Sequence, residues 1–134
     1  MEALIRHLGN MKFEAMARGH RLICDQPAEN HGTDKGMTPP ELLLASLGTC
    51  AGYYAAQYLQ ARGMSAQRVA VRVSAEKATA PARLGSFVIE VEAPDIDPKH
   101  QEGLFRAVKA CLIHNTLSNA PSIELRVHTA VPVA

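Results

Sequence analysis

The sequence predicts an α+β fold with antiparallel sheets around one long buried helix, and three observations carry that expectation. Segments with a two-residue apolar period flank a single long apolar stretch, Leu42 to Leu59. That stretch opens on Thr38-Pro39-Pro40-Glu41, a helix start, and runs out at Gly63, a helix stop. The element order is strands, helix, strands, helix, strand, which suits hairpin pairing better than alternating parallel units. At 134 residues, the whole of 1–134 is expected to be one domain.

Residues 2 to 24 read as short strands joined by tight turns. Gly9-Asn10 is a turn signal, after which Phe13, Ala15 and Ala17 alternate with Lys12, Glu14 and Met16. Arg18-Gly19-His20 is a second turn and leads into Arg21-Leu22-Ile23-Cys24. Asp25 to Met37 is a polar loop with Pro27, Gly32 and Gly36, too weakly apolar to pack and of a length that is often functional or mobile.

Thr38 is a good N-cap, Pro39 suits the first helical position, and Glu41 completes a capping box. The helix should run to Arg62. Its apolar residues occupy nearly every side, so burial all round is expected. A sheet can cover one face; in so short a chain, a second subunit is the natural cover for the other. Val69, Val71 and Val73 then mark a strand with one buried face, and Phe87, Ile89 and Val91 mark another. Asp97-Pro98 caps a second helix, with Leu104, Val108 and Cys111 at i, i+4 and i+7. A last strand is expected with Ile123, Leu125 and Val127 facing in.

Composition removes several function classes. Apolar residues make up 47% of the chain, charged residues 20%, and the net charge is +1. There is no Trp, and no basic run interleaved with aromatics, so nucleic acid is a poor partner. The Leu42–Leu59 stretch is broken by Ser46, Thr49 and Gln57, which points to a core helix and no membrane span. The N-terminus lacks the pattern of a secretory signal, and three cysteines do not make an extracellular disulfide framework. A cytoplasmic location is expected, where a cysteine pair is more often redox-active than structural.

Cys50 falls halfway along the long helix and Cys111 at the end of the second helix. A single free cysteine is usually a small core hydrophobe. Burial raises a thiol pKa, and mid-helix Cys50 has no helix N-terminus to lower it, so a reactive Cys50 needs a cation from elsewhere. Cys24, at the end of an early strand, reads as core. Cys50, Cys111 and His114 offer three zinc-ligand types but no CxxC or HxxxH spacing, so neither metal nor cofactor is expected. His114 reads as a hydrogen-bonding residue near the second cysteine, and Tyr53 and Tyr54 as core or pocket wall.

The run Gly36-Met37-Thr38-Pro39-Pro40-Glu41-Leu42-Leu43-Leu44-Ala45-Ser46-Leu47-Gly48-Thr49-Cys50 resembles the first-cysteine motif of the OsmC/Ohr family, the osmotically inducible and organic hydroperoxide resistance proteins. Cys111-Leu112-Ile113-His114-Asn115-Thr116-Leu117 resembles the family's second-cysteine segment. The resemblance covers essentially the whole chain. It implies an intertwined homodimer with central helices back to back and active sites at the interface. It also implies a thiol peroxidase for organic hydroperoxides, with Cys50 peroxidatic, Cys111 resolving, and an external dithiol restoring both.

The family's peroxidase branches activate the first cysteine with an arginine and a glutamate. Arg18 is the best match for the arginine, with Arg21 close enough to compete. The glutamate of the hydroperoxide-resistance branch would fall at Pro40, so Glu41 is either catalytic or only a helix cap. That departure suggests a divergent branch. A non-catalytic dimer of the same fold, binding a small apolar molecule at the interface pocket, is the alternative.

Overall fold

The computed structural model describes residues 1–130. The first strands are β1 (Leu4–Gly9), β2 (Lys12–Ala17) and β3 (His20–Cys24), an antiparallel sheet in the order β1-β2-β3. Its two turns are those the sequence marks. Gly9 has φ +109° and Asn10 +51° at the first; Arg18 has φ +52° and Gly19 +83° at the second. Left-handed backbone at these points lets the chain reverse within two residues.

The loop from Asp25 to Met37 is ordered around a charge. Asp25 is 1% exposed. Its carboxylate accepts from the Gln26 N–H (2.7 Å), the Thr33 hydroxyl (2.8 Å) and the Lys35 N–H (3.0 Å). Two glycines permit the wrap. A Cβ on Gly32 would lie 1.8 Å from the Gln26 carbonyl oxygen, and one on Gly36 would lie 2.2 Å from that of Ile23. The expectation that this loop is too polar to pack is therefore corrected: a buried carboxylate does the packing where apolar side chains are lacking.

Helix α1 (Pro39–Ala61) is built as its termini foretell. Thr38 Oγ1 accepts from the Glu41 N–H, and Glu41 Oε1 accepts from both the Thr38 N–H (3.0 Å) and the Thr38 hydroxyl (2.8 Å). At the far end Met64 N–H donates to the Leu59 carbonyl and Gly63 N–H to that of Gln60, with Gly63 at φ +72°. This is a Schellman stop, and Met64 packs against the cluster containing Leu59, as such stops require.

The helix buries one stripe within the chain. Leu47, Ala51, Ala55 and Leu59, four residues apart, are the fully buried positions, while Tyr53 on the opposite side is exposed. Burial all round, expected from the sequence, does not occur within one chain. Burying the leucines of the stripe contributes about 2 kcal/mol each.

Strands β4 (Ala70–Ala78) and β5 (Arg83–Glu92) form an antiparallel hairpin, with Val71 opposite Val91 and Val73 opposite Ile89. α1 lies close on β4 because Gly48 faces Val73; a Cβ there would stand 3.1 Å from Val73 Cγ2. Asp97 then caps a 3-10 turn, its side chain accepting from the Lys99 N–H, and α2 (Gln101–Lys109) follows directly. Leu104 joins Ala55 and Leu59 in the core, with Val69, Val91 and Val108 packed around them.

Two expectations for the C-terminal part change. The second helix breaks at Ala110, and a separate α3 (Leu112–Ser118) begins with Cys111 as its N-cap, so Cys111 stands at a helix junction and not on a helix. The last strand is not formed by residues 119–128. Ile123, Leu125 and Val127 keep their alternation but are 88%, 86% and 77% exposed, with no strand beside them among the described residues. With no strand beside it among the described residues this segment has nothing to pair with, and pairing is what makes a strand.

Candidate active site

α1 carries Cys50 midway along its length, one residue from buried Ala51, and leaves its side chain half-buried. α2 and α3 both pack on α1, which brings the junction between them against this part of the helix. Cys111 there is 1% exposed, and Cys50 lies near enough to its thiol to raise its pKa. Cys50 and Cys111, 61 positions apart in the sequence, thus meet in one chain.

The surroundings of Cys111 set its protonation. Burial pushes its thiol up first, and the hydrogen bond with Cys50 pushes it further by favouring the form that keeps the proton. The backbone N–H groups of His114 and Ile113 act the other way, since they stabilise a thiolate. The His114 N–H lies 3.5 Å from Cys111 Sγ. His114 does hydrogen-bond near the second cysteine, but through its backbone, because the cysteine is the cap of its helix.

Cys24 is apart from this pair. It ends β3, bridges to Met37, and opposes Phe13 across the sheet. Its thiol is raised by burial first and by the neighbouring Asp25 carboxylate second. Among the described residues, no cluster of three or more His, Cys, Asp or Glu is arranged to hold a metal ion.

Within one chain, the charged candidates are not gathered at the cysteines. Arg18 stays on the β2–β3 turn, lining a shallow depression with Glu2, Leu4, Met16 and His20, and makes no hydrogen bond to Cys50 or Cys111. Arg21 is held by Glu14 on the neighbouring strand, Nε to Oε1 at 2.7 Å. Glu41 is taken up by Thr38, whose N–H is the first cause, and hydroxyl the second, of a carboxyl held below its ordinary value. The β1–β3 sheet that carries both arginines makes at most a marginal contact with α1. Tyr53 is exposed, and Tyr54 meets it edge to face at 5.2 Å.

Sequence reasoning missed a cleft of about 400 Å³ between β5 and α2. Phe87, Ile89, Val91, Leu104, Phe105 and Val108 form its walls, and Lys109 and His114 lie at its edge. The inward positions of β5 and the apolar face of α2 were each legible; that they stand apart and leave a gap was not.

The model of the family described as OsmC-like protein matches residues 32–126. No curated protein matches the chain. Among solved structures, a Psychrobacter arcticus protein named for an osmotic stress and detoxification response is similar, with a TM-score of 0.77 at 19% identity over 85% of each chain. An OsmC-like protein from Mycoplasma pneumoniae has a TM-score of 0.70 at 22% identity, covering 90% of this chain and 89% of that one. An organic hydroperoxide resistance protein from Legionella pneumophila has a TM-score of 0.66 at 16% identity, covering 89% and 90%. At these identities the structural likeness speaks for the fold, and the match over 32–126 speaks for the family. The chain belongs to the OsmC-like protein family.

Proposed function

We propose that this protein is a thiol-dependent peroxidase that reduces organic hydroperoxides in defence against oxidative stress, with Cys50 and Cys111 as its redox pair. The observation that carries the reading is the proximity of the two cysteines, one half-buried and one buried. The Cys50 thiolate attacks the outer peroxide oxygen, the O–O bond breaks, and the alkoxide leaves as an alcohol after taking a proton. Cys50 becomes a sulfenic acid. The Cys111 sulfur then attacks it, water leaves, and a disulfide forms. An external dithiol reduces that disulfide by exchange.

The working unit in this reading is a homodimer. Tyr53 on the outer face of α1, Leu4, Ile5 and Leu22 on the first sheet, and Ile123, Leu125 and Val127 on the tail are large apolar side chains left exposed in one chain. Mutual cover by a second copy removes that surface from water. It also offers Arg18 a route to Cys50, since Arg21 is engaged by Glu14 and Arg18 has no ion pair among the described residues. Glu41 serves the helix. The shared fold of an organic hydroperoxide resistance protein from Legionella pneumophila supports a role against hydroperoxides.

The β5–α2 cleft favours the second reading, a dimer that binds a small apolar molecule without turning it over. Peroxide consumption separates the two. With tert-butyl hydroperoxide and dithiothreitol, wild type should turn over and Cys50→Ser should not; with hydroperoxide alone, Cys111→Ser should stop at a sulfenic or overoxidised Cys50. A wild type that consumes no hydroperoxide leaves the binding reading in place.

A further inference from the structure

The two sulfurs of the pair differ in access and in what surrounds them, and this gives the proposed disulfide a direction. We propose that the reductant attacks Cys50 and expels Cys111 in preference to the reverse. This inference rests on the Cys50–Cys111 disulfide of the preceding reading.

Thiol–disulfide exchange is an in-line displacement, so the entering sulfur must approach the attacked sulfur from the side opposite its partner. Cys111 is 1% exposed and closed in at the junction of α2 and α3, against α1. No line of approach to it from solvent exists without opening that packing. Within one chain Cys50 is half-buried on α1 and so is the more open of the two.

The leaving sulfur also has its receivers in place. As the N-cap of α3, Cys111 Sγ already accepts from the His114 N–H at 3.5 Å, and the Ile113 N–H adds to the same effect. Mid-helix Cys50 has no free backbone N–H to receive charge, because its neighbours' donors are spent within α1.

The electron count closes. One thiolate of the dithiol bonds to Cys50 Sγ; the Cys50–Cys111 bond breaks, and its electron pair leaves on Cys111, which then takes a proton from solvent. The second thiol of the reductant attacks the reductant's own sulfur in the mixed disulfide and releases Cys50. The dithiol is oxidised to a disulfide, and the protein is reduced by two electrons.

The test uses whole protein oxidised with diamide, which joins the cysteines without any peroxide. The oxidised form is mixed briefly with 2-mercaptoethanol, quenched in acid, alkylated and mapped by peptide mass. The mercaptoethanol adduct should sit on Cys50 with Cys111 free, in excess over the opposite isomer on the order of tenfold or more. An adduct on Cys111, or an even split, overturns the direction while leaving the peroxidase reading standing. Failure of diamide to join Cys50 to Cys111 removes both.

Discussion

The hydroxyl of Thr33 donates a 2.8 Å hydrogen bond to the carboxylate of Asp25, eight residues earlier, and closes the loop that leads into α1. With the N–H groups of Lys35 and Gln26 on the same carboxylate, the Asp25 pKa falls from an ordinary 3.8 to about 2, the Lys35 bond being the largest cause. Folding therefore favours the ionised form. That stabilisation is complete above the unfolded value and is lost as pH falls from about 4 through about 2. Asp25→Asn should be clearly less stable than wild type at pH 7, and the gap should shrink across that window. Urea melts at pH 7, 4 and 2.5 measure it; a gap constant with pH contradicts the role given to Asp25.

Thr38 and Glu41 should behave as a cap and not as catalysts. Thr38→Ala should cost about 1 kcal/mol of stability. Glu41→Gln retains an acceptor for the Thr38 N–H and should change neither the melt nor peroxide turnover much, while Glu41→Ala should lower the melting temperature first. A large loss of rate in Glu41→Gln with an unchanged melt would assign Glu41 to the chemistry despite its place beside Pro40.

Much of this was legible in the sequence, for identifiable reasons. Thr38, Glu41 and Gly63 bound α1 through local chemistry, so its limits could be read without tertiary knowledge. Val71, Val73, Ile89 and Val91 alternate because one face of their hairpin is buried. Cys50 and Cys111 could be paired only through the family motifs, since nothing local brings α1 to the α2–α3 junction. What failed depended on partners. The segment with Ile123, Leu125 and Val127 has strand composition but no neighbouring strand among the described residues, and Asp25 is buried where Gly32 and Gly36 let distant donors reach it.

Arg18 should support the Cys50 thiolate, and Arg21 should not. A guanidinium beside a thiolate stabilises its charge. Arg18→Met should therefore slow peroxide consumption, with little change in the melt. Arg21→Met, which only frees Glu14, should leave the rate near wild type. Stopped-flow kinetics across pH compares them; equal losses in both variants contradict the assignment.

The chain should be a dimer at micromolar concentration, held in part by its exposed C-terminal segment. Ile123→Glu combined with Leu125→Glu places charges where apolar side chains need cover, and should shift sedimentation toward monomer by weakening association at least tenfold, a loss of about 1.4 kcal/mol. A stable wild-type monomer contradicts the dimer outright.

The redox pair is tested most directly by the intact mass of the protein after one equivalent of cumene hydroperoxide. Loss of two hydrogens is expected, with a Cys50–Cys111 disulfide within one chain and a Cys24 thiol that still takes up an alkylating agent. Three free thiols after peroxide treatment, or a disulfide that includes Cys24, would contradict it.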